Sequence, residues 1–180
     1  MTDQVQERVS AAEFIERPES NKPVQLIDGE IVDMGSPTPE HQKIVLRSAI
    51  TLTPIVETLG GQLFVAPLDV ELDDENVVQP DIIVILPGGR CQIETWLKGA
   101  PDLLVEVLSP GTATIDRRKK FRLYERHGVR EFWLIHPTER IVEVWALEDG
   151  RFMPLLVYGH GESFTSPLLG AIEVSKLFPA

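Results

Sequence analysis

The chain has 180 residues, 43% hydrophobic and 25% charged, which suits one globular domain with room for a sizeable core. Its single cysteine, Cys91, excludes a disulfide framework and a cysteine-rich zinc site, and no apolar run approaches the roughly 18 residues of a membrane span. A formal net charge of −11 argues against nucleic acid as a partner of the whole surface.

The charge is unevenly spread. Arg117, Arg118, Lys119, Lys120, Arg122, Arg126 and Arg130 crowd one segment, while acids dominate elsewhere, most densely at Asp73-Asp74-Glu75. A basic element on an acidic body can meet phosphate locally; the plainer reading is a solvated helix face. The opening MTDQVQERVS is polar and lacks a leader-like apolar core, so a cytoplasmic location is expected.

Ser10-Ala11-Ala12-Glu13 matches a capping box and opens a short helix that ends before Pro18. Val24 to Met34 reads as a hairpin turning at Asp28-Gly29, a dipeptide that favours type I′ geometry. Glu30 follows that turn, on the surface or pointing toward a site. Thr38-Pro39-Glu40-His41 supplies an N-cap, a proline at the first helical position and an acid in the first turn. That helix is expected to run to about Leu59, bent or interrupted by Pro54. His41 in its first turn reads as a surface or capping residue, or as part of a site.

Leu63 to Leu72 alternates toward its end as a half-buried strand does, and Asn76 to Leu86 reads as a second apolar strand with Pro80-Asp81 at its entrance. Residues 87–100 form a loop or short helix. Leu103 to Leu108 is a buried strand bounded by the Ser109-Pro110-Gly111 turn. Thr112 to His127 has helix formers throughout and Gly128 as a stop; Glu131 to His136 is a further strand closed by Pro137. Strands near Ile141–Leu147 and Phe152–Tyr158 flank an Asp149-Gly150 turn. A tail with Pro167, Gly170 and Leu177-Phe178 follows. With no repeat or linker, residues 1–180 read as one domain.

Two apolar strands each carry one acid: Asp81 in PDIIVI and Glu106 in LLVEVL. A lone carboxylate in an apolar strand is expensive unless it is paired or holds a metal. Two on neighbouring strands suit a hard divalent cation such as magnesium, with the Val107 carbonyl as a further oxygen donor. Core salt bridges explain such acids equally well.

Pro80-Asp81, then Glu106-Val107-Leu108, then Asp116, Lys120 and Tyr124 on a helix, resemble the PD-(D/E)XK nuclease superfamily. More narrowly, the chain resembles a bacterial family of restriction-endonuclease-like proteins. The wording QPDIIVI, PDLLVEVLSPGT, D-x-x-x-K-x-x-x-Y and GVREFWLIHP carries the likeness, with VQLIDGEIVDM, Glu40-His41 and SPLLGAIEVSKLF in support. The resemblance spans nearly the whole chain.

It implies an α/β fold: a restriction-endonuclease-like core with a central mixed sheet built on the strands at 63–72, 81–86, 103–108 and 132–135. The 39–59 and 114–127 helices would flank that sheet, with an N-terminal hairpin beside it. It also implies that Asp81, Glu106 and the Val107 carbonyl bind Mg²⁺ or Mn²⁺, and that Asp81, Glu106 and Lys120 are catalytic. The superfamily's lysine normally stands two residues after the second acid, where this chain has Leu108; the narrower family supplies it from the next helix, here as Lys120. Asp116, Tyr124, His41 and Glu30 are expected in support, and Arg117, Arg118, Arg122 and Arg126 against nucleic acid.

Three functions follow from these residues. The first is a metal-dependent endonuclease hydrolysing phosphodiester bonds in DNA. The second is a catalytically silent nucleic-acid-binding module, and the third a metal-free interaction element, such as a homodimer, in which the acids are structural. The lack of a separate target-recognition region favours structure-dependent nicking over strict site specificity.

Overall fold

The computed structural model describes residues 8–18, 23–109 and 116–179, with the side chains of Asp116 and Arg117 outside that description. The N-terminal helix α1, Ala11–Ile15, starts at the expected capping box: Ser10 and Glu13 satisfy each other's backbone donors. Strands β1 (Val24–Ile27) and β2 (Glu30–Asp33) pair antiparallel with Ile27 opposite Glu30. Asp28 and Gly29 both take positive φ, 51° and 75°, as the type I′ turn requires.

Thr38 caps α2 (Pro39–Thr58) by accepting the His41 N–H at 3.2 Å. Pro54 lies inside the helix without ending it. The exposed side of the helix takes the missing hydrogen bond, since Pro54 faces solvent.

The chain then departs from the sequence reading at two prolines. The single strand expected over 63–72 is two, β3 (Gln62–Val65) and β4 (Val70–Asp73), separated at the cis Ala66-Pro67 bond and placed in different sheets. The strand expected over 76–86 is likewise two, β5 (Asn76–Val78) and β6 (Ile82–Ile85), broken at Pro80. A proline cannot donate to a ladder, so each marks the place where the chain passes from one sheet to the other. The 87–100 segment contains two short strands, β7 (Gln92–Ile93) and β8 (Leu97–Lys98), rather than a helix.

Strand β9 (Leu103–Val107) lies parallel to β10 (Glu131–His136), as a strand–helix–strand unit demands. Of the helix expected between them, residues 112–115 fall outside the described residues. Its described part begins as a π-helical turn, Asp116–Lys120, and becomes α-helical as α3, Phe121–His127, ending at Gly128 with φ 78°. β11 (Ile141–Glu148) and β12 (Arg151–Gly159) form the hairpin around Asp149-Gly150. The tail, read without regular structure, folds as a hairpin of β13 (Ser163–Ser166) and β14 (Gly170–Glu173) followed by the 3-10 turn Val174–Leu177.

The result is a central mixed sheet in the order β12-β11-β10-β9-β6-β3 and a second sheet in the order β2-β1-β5-β4-β8-β7. Side chains alternate across the central sheet. Ile82, Val84, Leu103, Val105, Trp133 and Ile135 face α2 and the C-terminal hairpin, packing on Ile44, Leu52, Val56, Phe164 and Leu177. Ile83, Ile85, Leu104, Phe132 and Leu134 face the other way, onto Leu123 and Tyr124 of α3 and onto Val70, Val78 and Leu97 of the second sheet. Each such fully buried aliphatic side chain contributes about 1.5–3 kcal/mol. Glu106 shares the Leu104 face, because it stands two residues on. That parity delivers a carboxylate to the layer where α3 packs.

Candidate active site

Strand register brings the two acids together. β6 runs antiparallel to β9, with Ile82 opposite Val105. One step further, Asp81 therefore stands level with Glu106, and the Val107 N–H donates to Asp81 Oδ2 at 2.7 Å. Both acids line one cleft of about 220 Å³, together with His41, Val107, Ser109 and Lys120.

Glu106 is buried, at 4% exposure, and is held from α3's side. Its Oε1 accepts from Lys120 Nζ at 2.9 Å and from the Tyr124 hydroxyl at 2.6 Å. The two donors stand four residues apart, so one stripe of the helix delivers both. Lys120 is 1% exposed, an arrangement tolerable for an ammonium only beside a carboxylate. Its neighbour Lys119 points outward and lies 3.8 Å from Glu30. The pair separates because consecutive helical residues diverge by about 100°.

His41 is buried against Asp81, with Nε2 3.2 Å from Oδ2, and its Nδ1 has no hydrogen-bond partner among the described residues. Burial alone would push its pKa down. The hydrogen bond and charge of Asp81, the charge of Glu106 and the Val107 carbonyl outweigh that and raise it. The imidazole thus reports a place where three oxygen donors jointly favour positive charge.

Those donors, two carboxylates and one backbone carbonyl, are the hard oxygen set that fits a magnesium-like cation. Among the described residues no group of three or more His, Cys, Asp and Glu side chains is placed to hold a metal. A cation here would therefore complete its shell with the carbonyl, waters and substrate oxygens.

The remaining expected residues spread over two faces. Arg118 and Arg122 are exposed, and neither pairs with a carboxylate among the described residues. Arg126 is engaged by Asp28 at 2.5 Å. The side chains of Asp116 and Arg117 lie outside the described residues. Leu108, at the superfamily's usual lysine position, packs as a half-buried apolar residue.

Among the buried polar groups that escaped the sequence reading are Gln25 and Glu131. Gln25 on β1 lines the same cleft at 3% exposure. Glu131 on β10 is fully buried and accepts from Trp133 Nε1 at 2.7 Å, Ser166 Oγ at 2.8 Å and the Leu168 N–H at 3.3 Å. The signal that singled out Glu106, one polar residue in an apolar strand, is present at both, in VQLI and in EFWLI.

Comparisons agree with this architecture. A crystal structure of a putative nuclease of the DUF820 group from Anabaena variabilis superposes with a TM-score of 0.79, at 22% identity, covering 94% of this chain and 97% of that one. It attests the fold. Two uncharacterized proteins of Synechocystis sp. are similar in sequence. One is 26% identical over 147 residues, 79% of this chain and 76% of that protein; the other is 24% identical over 119 residues, 64% and 67%. No helix among the described residues is long and apolar enough to cross a membrane. The model of the Uma2 family, described as putative restriction endonuclease, matches residues 11–176, and the chain belongs to that family.

Proposed function

We propose that the protein is a metal-dependent endonuclease that hydrolyses phosphodiester bonds in DNA, with Asp81, Glu106 and Lys120 as its catalytic residues. The observation that carries this reading is the register-enforced meeting of Asp81 and Glu106 in one cleft, with a buried ammonium bonded to the second acid. A core salt bridge would need only one acid for one lysine. A second acid level with the first supplies the further carboxylate that a hard divalent cation can use beside substrate phosphate.

Mg²⁺ or Mn²⁺ held by Asp81, Glu106 and the Val107 carbonyl would polarise a phosphoryl oxygen and acidify a bound water. The chain's own groups do the rest. Lys120 would stabilise the extra negative charge that builds on the phosphoryl oxygens as water adds and one P–O ester bond breaks. Tyr124 holds Glu106 in place through its hydroxyl, so the acid and the lysine keep their mutual orientation. The Val107 N–H does the same for Asp81.

A plasmid-nicking assay with Mg²⁺ or Mn²⁺ tests the proposal. Supercoiled DNA is expected to relax with the parent, not after EDTA, and not with Asp81→Ala or Glu106→Ala. If both variants nick as fast as the parent, the reading is wrong.

A further inference from the structure

Helix α2 carries two apolar stripes, and the monomer uses one of them. The inner stripe is spent on the core: Ile44, Leu52 and Val56 are buried, and Ser48 between them donates to the Leu177 carbonyl at 3.3 Å. On the outer side Leu46 and Ile50 stand one turn apart and are 59% and 57% exposed, and exposed Pro54 follows one turn later. One exposed leucine needs no explanation, but a row of three at helical spacing does.

Charges bracket the row. Lys43 stands seven residues before Ile50 and Glu57 seven after it. Neither of them, nor Arg47, has an ion-pair partner among the described residues. Positions 43, 46, 50, 53 and 57 alternate in steps of three and four, so they share one side of the helix. That spacing is the seam on which two helices pack at a shallow angle. Thr53 brings no unmet donor to it, because its hydroxyl donates back to the Ala49 carbonyl at 2.7 Å.

We propose that this face binds a second copy of the chain, with the two α2 helices antiparallel about a two-fold axis at Ile50. Residues equally distant on either side of Ile50 then face one another across the contact. Ile50 meets its own copy, Leu46 meets Pro54, and Lys43 meets Glu57 at both ends. A parallel pair would set lysine on lysine and glutamate on glutamate, so the charges select the antiparallel arrangement. Both signs in mirrored positions on one stripe is the self-complementarity that a two-fold interface needs, which favours a second copy over an unrelated partner. The helix is also neutral, with Glu40 and Glu57 against Lys43 and Arg47, on a body of net charge −11. Two copies therefore repel less through this face than through the acidic remainder. The other exposed apolar row, Met153, Leu156 and Val157 on the edge strand β12, is blunted by Pro154 and by the bulge beside Trp145.

About two heptads of contact make a small interface, so the dissociation constant should be on the order of 10 µM. Sedimentation equilibrium of the full chain from about 1 to about 300 µM tests this and is expected to show monomer and dimer. Ile50→Glu alters an exposed position, so the fold should survive, and it should weaken the dimer at least about tenfold. Lys43→Glu and Glu57→Lys should each weaken it, and the double variant should regain most of the loss, because the reversed charges face each other again. A merely sticky patch would show no such rescue. A monomer throughout the range would overturn the proposal and leave the face to a different protein. A dimer unaffected by Ile50→Glu would also overturn it and move the interface elsewhere, β12 included, and so would a double variant as weak as the single ones. None of these outcomes depends on the nuclease reading.

Discussion

At the scale of single residues, two adjacent lysines have opposite surroundings. Lys120 is buried on Glu106 and Tyr124, whereas Lys119 is half-exposed and reaches Glu30. An ammonium that acts on the transition state should be felt in turnover rather than in binding. Lys120→Met is therefore expected to lose roughly 10²–10³ in turnover while still binding DNA. Lys119→Met should lose only some salt-sensitive affinity. Removing one partner of a buried pair also weakens the fold, so a melting curve should accompany the assay, and Lys120→Met should be the less stable of the two. Equal turnover in the two variants, with both folded, would refute the assignment.

At the scale of elements, Glu131 ties the central sheet to the C-terminal hairpin: it stands at the start of β10 and accepts from Ser166 and Leu168. Burial raises its pKa, partly offset by hydrogen bonds from Trp133, Ser166 and Leu168 and by the charge of Arg130. A carboxyl with a raised folded pKa contributes stability that is fully present below its unfolded value, about 4.3, and is lost as pH rises through the folded one. Glu131→Gln cannot ionise. Its stability relative to the parent should rise from about pH 4.3 upward, by at most about 1.4 kcal/mol per pH unit, and then level off. Urea midpoints for both proteins between pH 4 and 8 measure this; parallel curves would mean that Glu131 does not titrate as described.

At the scale of the whole molecule, the basic cluster is smaller than its residue count suggests. Arg126 is committed to Asp28, Arg130 to Asp102 at 2.9 Å, and Lys120 to Glu106, which leaves Arg118 and Arg122 as the exposed arginines of this segment without a carboxylate partner among the described residues. With a net charge of −11 behind them, few phosphates can be engaged. The salt dependence of DNA affinity should accordingly be shallow, and Arg118→Gln with Arg122→Gln should lower its log–log slope by about two. Arg126→Gln should change the slope less, because its charge is already met. Affinity that is independent of salt in the parent would exclude backbone binding by this face.

Local chemistry decided much of the fold before any tertiary contact. The Ser10 capping box, the Asp28-Gly29 and Asp149-Gly150 turns, the Thr38 N-cap and the Gly128 stop all appear where the residue types require them, because each rests on neighbours within four positions. The acids Asp81 and Glu106 were legible for a similar reason: a charge in an apolar strand stands out against its immediate surroundings. What the sequence left open was long-range. Whether Pro67 and Pro80 bend one strand or move the chain to another sheet depends on which edges are free to pair. The second sheet, the wall that β1 and β2 add to the cleft, and the burial of His41 and Gln25 all follow from that pairing. Only the antiparallel register of β6 on β9, set by packing on both faces of the central sheet, puts Asp81 level with Glu106.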